Sequence, residues 1–334
     1  MKAIRKSGLW LLLLVTALVF VLSACSSGNK QSGSSGSPGA TGSSAPGAGQ
    51  DAGTATEKPA PKVKVVVGGK DFTEQRLLSA ITSIYLKEKD YPVEEVNGMG
   101  SQIVRSALEN GQIDVYWEYT GTGLVVYQKQ PAESDPVKAY ETIKALDHEL
   151  GLVWLNRADF NNTYAILMRR QHAEELGIKT ISDLARYVNE NPKALKFATN
   201  AEFYARDDGM KGLEKTYGFT VPSDRMVKMD SGLLYNALKE EQVDVSNGFA
   251  TDGRIKGFDL ITLEDDKLFF PAYHAAPVIR QAKLDEDPEL ANLLNAIADK
   301  LDTETIVRLN YTVDVEHKEV AEVAREWLTS VGLI

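Results

Sequence analysis

Short apolar runs closed by glycine or polar residues alternate along this chain with longer stretches of helical period. KVKVVVGG, from Lys62, reads as a short buried strand that ends in glycines. LLSAITSIYLKEK then has the spacing of a helix, VEEVN of a strand, SQIVRSALENG of a helix and IDVYW of a strand. Strands alternating with helices predict an α/β fold built on a parallel sheet. Farther on, LKFATN, GMKGLEKTYG and RMVKM again read as strand, helix and strand. The stretches LANLLNAIADKLDTETIVRLN and EVAREWLTSVGLI read as helices packed back on the first unit.

The pattern contains a repeat. ALENGQIDVYWEYTGTG, from Ala107, lines up without a gap on ALKEEQVDVSNGFATDG, 130 residues later. Ala, Leu, Gln, Asp, Val and the final Gly match, Ile113 answers Val243, and Tyr119 falls on Phe249. Similarity on this scale predicts two α/β lobes of one plan. Ligands of open α/β sheets sit beyond the carboxyl ends of the strands. Tyr119 and Phe249 therefore become candidates for two walls of one cleft, although either ring alone fits core packing as well. Tyr116 and Trp117, inside the strand, read as core, and Glu118 is assigned no role.

The N-terminus follows another pattern. Lys2, Arg5 and Lys6 precede an apolar run from Leu9 to Leu22, shorter than the roughly 20 residues that cross a bilayer, which marks an export leader. Leu22-Ser23-Ala24-Cys25 resembles the lipobox of bacterial lipoproteins, so residues 1–25 read as a signal peptide with Cys25 as the lipidated residue. Residues 26–61 hold no apolar side chain larger than alanine and read as a flexible Gly/Ser/Ala/Pro tether. Removing the leader moves the net charge from −10 to −13, which argues against a nucleic-acid partner. Cys25 is the only cysteine, so the fold is held without an intramolecular disulfide. With 334 residues, 43% of them hydrophobic, the chain can bury a core of its own.

Nothing in the pattern asks for catalysis. His148, His172, His274 and His317 are scattered without metal-ligand spacing. There is no P-loop or nucleophile elbow, and Gly98-Met99-Gly100 lacks the third glycine of a dinucleotide loop. No cofactor and no metal is expected.

A binding function has more specific support. VVVGGKDFTEQ, WEYTGTG, NNTYAI, EFYARDDGMKGL, FATDGRI and FFPAYHAAPVIR occur in that order from Val65 onward. Together they resemble the substrate-binding lipoproteins of osmoprotectant ABC transporters, the glycine betaine/carnitine/choline binding proteins, a branch of the type II periplasmic binding proteins. The resemblance covers Lys62 to Ile334 and implies a two-lobe fold with the ligand cleft between the lobes. It also implies an aromatic cage of Tyr119, Tyr164, Phe249 and Tyr273, with polar or carboxylate contacts from Lys70, Thr122, Asn162 and Arg206. Phe249 stands where relatives often carry tyrosine, and Asn162 where they often carry aspartate.

The expected protein is a monomeric, lipid-anchored receptor on the extracytoplasmic face of a bacterial cell membrane. Its partners would be a quaternary ammonium solute and the permease and ATPase of an importer serving osmoprotection. Lobe one is expected over 62–163 plus 271–334, and lobe two over 164–270. From the residues alone, Lys70 also fits a solvated surface lysine, and Arg206 could simply pair with Asp207 or Asp208. Tyr204 and Tyr235 are weaker candidates for the site. An amino-acid receptor, or an enzyme or sensor on the same fold, remains the alternative.

Overall fold

The computed structural model describes residues 61–334; the leader, Cys25 and nearly all of the tether lie outside them. Ten strands form two five-stranded sheets. The strands are β1 (Val65–Lys70), β2 (Val93–Met99), β3 (Val115–Tyr119), β4 (Leu152–Trp154), β5 (Tyr164–Arg169), β6 (Phe197–Thr199), β7 (Met226–Lys228), β8 (Val245–Phe249), β9 (Leu260–Thr262) and β10 (Ala275–Arg280). The sheet orders are β2-β1-β3-β10-β4 and β7-β6-β8-β5-β9. Position for position the two orders are the same, with β10 of the first sheet answering β5 of the second. Among the described residues no helix is long and apolar enough to cross a membrane.

The sheets are not wholly parallel, which corrects the expectation drawn from alternation. β1 pairs in parallel with β2 and β3, but β10 runs antiparallel between β3 and β4. Likewise β5 runs antiparallel between β8 and β9. The reason is that β10 and β5 each enter their sheet from a chain segment that has just left the other sheet, so they meet it from the opposite end. Alternation of strand and helix carries no information about that crossing.

The internal repeat has a physical basis in one hydrogen-bond device used twice. Asp114 Oδ2 accepts from Val66 N at 2.8 Å, and Asp244 Oδ2 accepts from Lys196 N at the same distance. Each aspartate is then met by an arginine at the far end of the antiparallel strand: Arg280 contacts Asp114, and Arg169 contacts Asp244 at 3.2 Å. Both arginines also donate to the carbonyl of the residue preceding the aspartate, Ile113 or Val243. The carboxylate satisfies a backbone N–H that the ladder leaves over, and the arginine neutralises it.

Trp117 and Tyr116 are buried on opposite faces of the first sheet, as alternation along a strand requires. The helix Thr73–Glu88 covers the Trp117 face, and the C-terminal helices Thr303–Asp314 and Val320–Ser330 pack on that helix. Asp114 has a 7% exposed side chain against 22% for Asp244. We expect Asp114→Ala to cost about 2–3 kcal/mol and Asp244→Ala about 1 kcal/mol. Urea denaturation of the two variants should show this difference, and equal costs would remove the burial argument.

Candidate functional site

The antiparallel strands decide which side chains meet. In the first sheet the carboxyl end of β3, at Tyr119, lies across from the amino end of β10, at Ala275, so Tyr273 arrives beside it. In the second, Tyr164 opens β5 directly across from Phe249, which closes β8. All four rings line a cavity of ≈ 390 Å³. The Tyr164 and Phe249 centroids are 5.3 Å apart, and Tyr164 meets Tyr273 edge to face at 5.5 Å. Gly121 allows the Tyr273 ring to come this close, because a Cβ there would stand 2.7 Å from Tyr273 Cε1 and 2.9 Å from the Ala272 carbonyl oxygen.

A fifth ring, Phe72, was not anticipated. It stacks on Phe249 at 5.0 Å and on Tyr119 at 6.2 Å, bridging the two equivalent aromatics and lining the same cavity. KDFTEQ carries it in the sequence, but nothing there distinguishes it from a helix-entry hydrophobe. Tyr235 does not line the cavity; its buried hydroxyl accepts from the Phe249 backbone N–H at 3.0 Å and so fixes the end of β8. Tyr204 lies outside it too, with Lys228 Nζ 3.6 Å from its ring centre.

Lys70, Thr122, Asn162 and Arg206 also line the cavity, and all four are nearly fully buried. Lys70 Nζ donates to Glu118 Oε1 at 2.6 Å, and the hydroxyls of Tyr116 and Tyr127 donate to Glu118 Oε2 at 2.8 and 2.9 Å. Glu118, given no role by the sequence, is thus the buried counter-ion of Lys70. Two of the three ammonium protons remain for the cavity.

All five N–H groups of Arg206 have acceptors. Asp208 takes two of them in a fork, at 2.7 and 2.6 Å, and Glu202 accepts at 2.9 Å. Thr122 Oγ1 and Tyr273 Oη accept at 3.3 Å each, and Tyr273 Oη in turn donates to Asp208. Of these partners Glu202 is the exposed one, with 39% of its side chain accessible against 3% for Asp208.

Around the mouth, Asp71, Glu202 and Asp230 put three carboxylates on the lining. Burial pushes the Asp71 carboxyl above the usual range, and the charges of Glu202 and Asp230 add to it. The phenols of Tyr119, Tyr164 and Tyr273 are raised, first by burial, so the rings face the cavity uncharged. Among the described residues no group of histidine, cysteine, aspartate and glutamate is placed to hold a metal ion.

Behind the cage lies Glu74, 2% exposed. Its Oε1 accepts from Tyr119 Oη at 2.7 Å and Asn162 Nδ2 at 2.8 Å; its Oε2 accepts from Thr251 Oγ1 at 2.5 Å and Asn310 Nδ2 at 3.3 Å. Burial nonetheless raises its pKa above 4.5, outweighing the four donors. A carboxyl raised in the folded state stabilises the fold below its unfolded value, and that contribution is lost as pH rises through the folded value. Glu74→Gln does not titrate, so its melting temperature should gain on the wild type as pH is taken from about 4.5 upward. A difference constant with pH would show that Glu74 does not titrate above its unfolded range.

Comparison with known proteins bears on the fold and the site. Residues 63–330 match the family model described as the substrate binding domain of the ABC-type glycine betaine transport system. A glycine-betaine-binding protein of Pseudomonas aeruginosa PAO1 is 43% identical over 80% of this chain and 88% of its own. A carnitine transport binding protein of Listeria monocytogenes serotype 1/2a is 34% identical over 80% of this chain and 86% of its own. The crystal structure of a glycine betaine/carnitine/choline ABC transporter protein superposes with a TM-score of 0.66 at 32% identity, covering 80% of this chain and 99% of that one.

Proposed function

Because the chain belongs to the family of substrate-binding domains of ABC-type glycine betaine transport systems, extracytoplasmic receptors rather than enzymes, we propose that it captures a quaternary ammonium compatible solute between its lobes and delivers it to an importer's permease and ATPase. We place lobe one at 62–163 plus 271–334 and lobe two at 164–270, with Cys25 carrying the lipid anchor and 26–61 the tether. Tyr119, Tyr164, Phe249 and Tyr273 form the cage, and Lys70, Thr122, Asn162 and Arg206 supply the polar contacts.

The convergence of rings from both sheets on one cavity carries this reading. A quaternary ammonium has no N–H to donate, so hydrogen bonds cannot hold it, whereas the negative faces of aromatic rings attract its diffuse charge. Each desolvated ring contributes roughly 0.5–2 kcal/mol, and four give about 2–8 kcal/mol gross. Micromolar binding corresponds to about 8 kcal/mol, so the rings alone fall short once association entropy is included. A ligand carboxylate supplies the difference by taking the Nη1 proton that Arg206 donates to Glu202 and a proton of Lys70. Glu202 is the partner best able to leave, being the one that water can solvate.

The acidic mouth supports the same ligand class. Asp71, Glu202 and Asp230 raise the local concentration of a cation ahead of binding. A primary ammonium would need a carboxylate within the cage, where the family position often filled by aspartate holds Asn162.

Calorimetric titration of the full chain with glycine betaine, choline and a neutral amino acid tests the proposal. Micromolar binding of glycine betaine is expected, with Tyr119→Ala abolishing it. Arg206→Lys, which keeps a charge beside Asp208 but loses the fork, should weaken betaine about tenfold and choline less than about threefold. Tight binding of the amino acid without any betaine signal would replace this reading with that of an amino-acid receptor.

A further inference from the structure

Glu74 is a buried carboxylate with four hydrogen-bond partners, none of them a cation. Charged groups on the adjoining elements are engaged with one another: Arg254 pairs with Asp252 at 2.5 Å and with Asp314 at 3.4 Å, and Asp314 also accepts from Thr73 at 2.7 Å. Burying a carboxylate with no counter-ion is costly, and a residue serving only to fill this space would not need the charge. Two of its donors, Tyr119 and Asn162, are themselves cavity walls.

Resting on the quaternary ammonium reading, we infer that Glu74 is the fixed counter-charge of the bound cation, set one side chain behind the cage and acting through Tyr119 and Asn162. It works in two ways. By holding the Tyr119 hydroxyl as a donor, it enriches the ring that the cation faces. By holding Asn162 Nδ2, it fixes the amide so that Oδ1, a buried acceptor with no hydrogen-bond partner, is the end left over. An oxygen dipole suits the C–H groups over which an N-methyl cation spreads its charge, whereas a flipped amide would oppose it.

The same carboxylate draws the two walls together. Thr251, two residues past Phe249, donates to it, and Asn310 donates both to Glu74 and to the Thr251 carbonyl at 2.9 Å. The loop carrying Thr251 is seated on the helix Thr303–Asp314 at Gly253, where a Cβ would run into the Tyr311 backbone. Glu74 is therefore a positioning residue: it sets the rings and the amide, and its charge compensates the ligand's.

The test separates charge from shape by pairing each cation with its uncharged carbon isostere. Choline against 3,3-dimethylbutan-1-ol, and glycine betaine against 3,3-dimethylbutanoate, are titrated into the full-length wild type, Glu74→Gln and Glu74→Asp. In Glu74→Gln the cations should weaken about tenfold and the isosteres less than about threefold, collapsing the ratio between them. Glu74→Asp, which keeps the charge, should hold the ratio near that of the wild type even where both affinities fall. Equal losses of cation and isostere in Glu74→Gln would overturn the inference while leaving the receptor intact. A collapsed ratio in Glu74→Asp would overturn it too, and serves if Glu74→Gln does not fold. A wild type that binds neither choline nor betaine would overturn this inference together with the function on which it rests.

Discussion

The antiparallel strand inserted into each sheet is the constraint on which the site depends. In a wholly parallel sheet only carboxyl ends face the ligand edge, and each lobe would offer one aromatic there, Tyr119 or Phe249. Hydrogen-bonding β10 between β3 and β4, and β5 between β8 and β9, brings amino ends to that same edge. Tyr273 and Tyr164 come with them. The Asp114–Arg280 and Asp244–Arg169 pairs pin the far ends of these strands, so the register that fixes the positions of Tyr164 and Tyr273 is itself fixed at Arg169 and Arg280, at the opposite edge. A one-residue slip of β5 would turn Tyr164 out of the cavity.

Charge is handled at this site by pairing before any ligand arrives. Lys70 has Glu118, and Arg206 has Asp208 and Glu202, each at hydrogen-bond distance and nearly free of solvent except at Glu202. Such pairs add little net stability, since desolvation consumes the Coulomb gain. What they provide is orientation. A guanidinium with all five protons engaged cannot rotate, so it presents the one exchangeable position, toward Glu202, in a single direction.

The sequence was readable wherever the information was local or repeated. The gapless match of Ala107–Gly123 to Ala237–Gly253 exposed the two-lobe plan and the Tyr119/Phe249 equivalence, and its two matching aspartates are the strand pins Asp114 and Asp244. The motif resemblance named eight residues, and all eight line one cavity. Strand direction was not readable, because it depends on where the chain has just been. Glu118 and Glu74 were passed over for a related reason: their partners lie 48 and up to 236 residues away, and a carboxylate among 47 has no local mark of being buried. Phe72 fell between these cases, a hydrophobe whose neighbours Tyr119 and Phe249 come from two different sheets.

The polar bridges across the cleft bear on how selectivity arises. Arg206 reaches Thr122 and Tyr273, Ser101 donates to Glu202 at 3.0 Å, and Thr251 donates to Glu74. A carboxylate that replaces Glu202 on Arg206 exchanges one charge-assisted hydrogen bond for another, so the clamp contributes less affinity than its contact list suggests. Three of the rings also face a protein cation, Lys70 at 5.1 Å from Tyr119 and Arg206 at 5.3 Å from Tyr164 and 5.8 Å from Tyr273, so a bound cation shares those ring faces with the clamp. Affinity is then shared between the cage, with the charge behind it, and a clamp that adds by difference. A ligand without a carboxylate leaves the Arg206–Glu202 pair as it is and forgoes only the clamp's increment, whereas one whose carboxylate is misplaced must still disturb that pair and gains nothing in return.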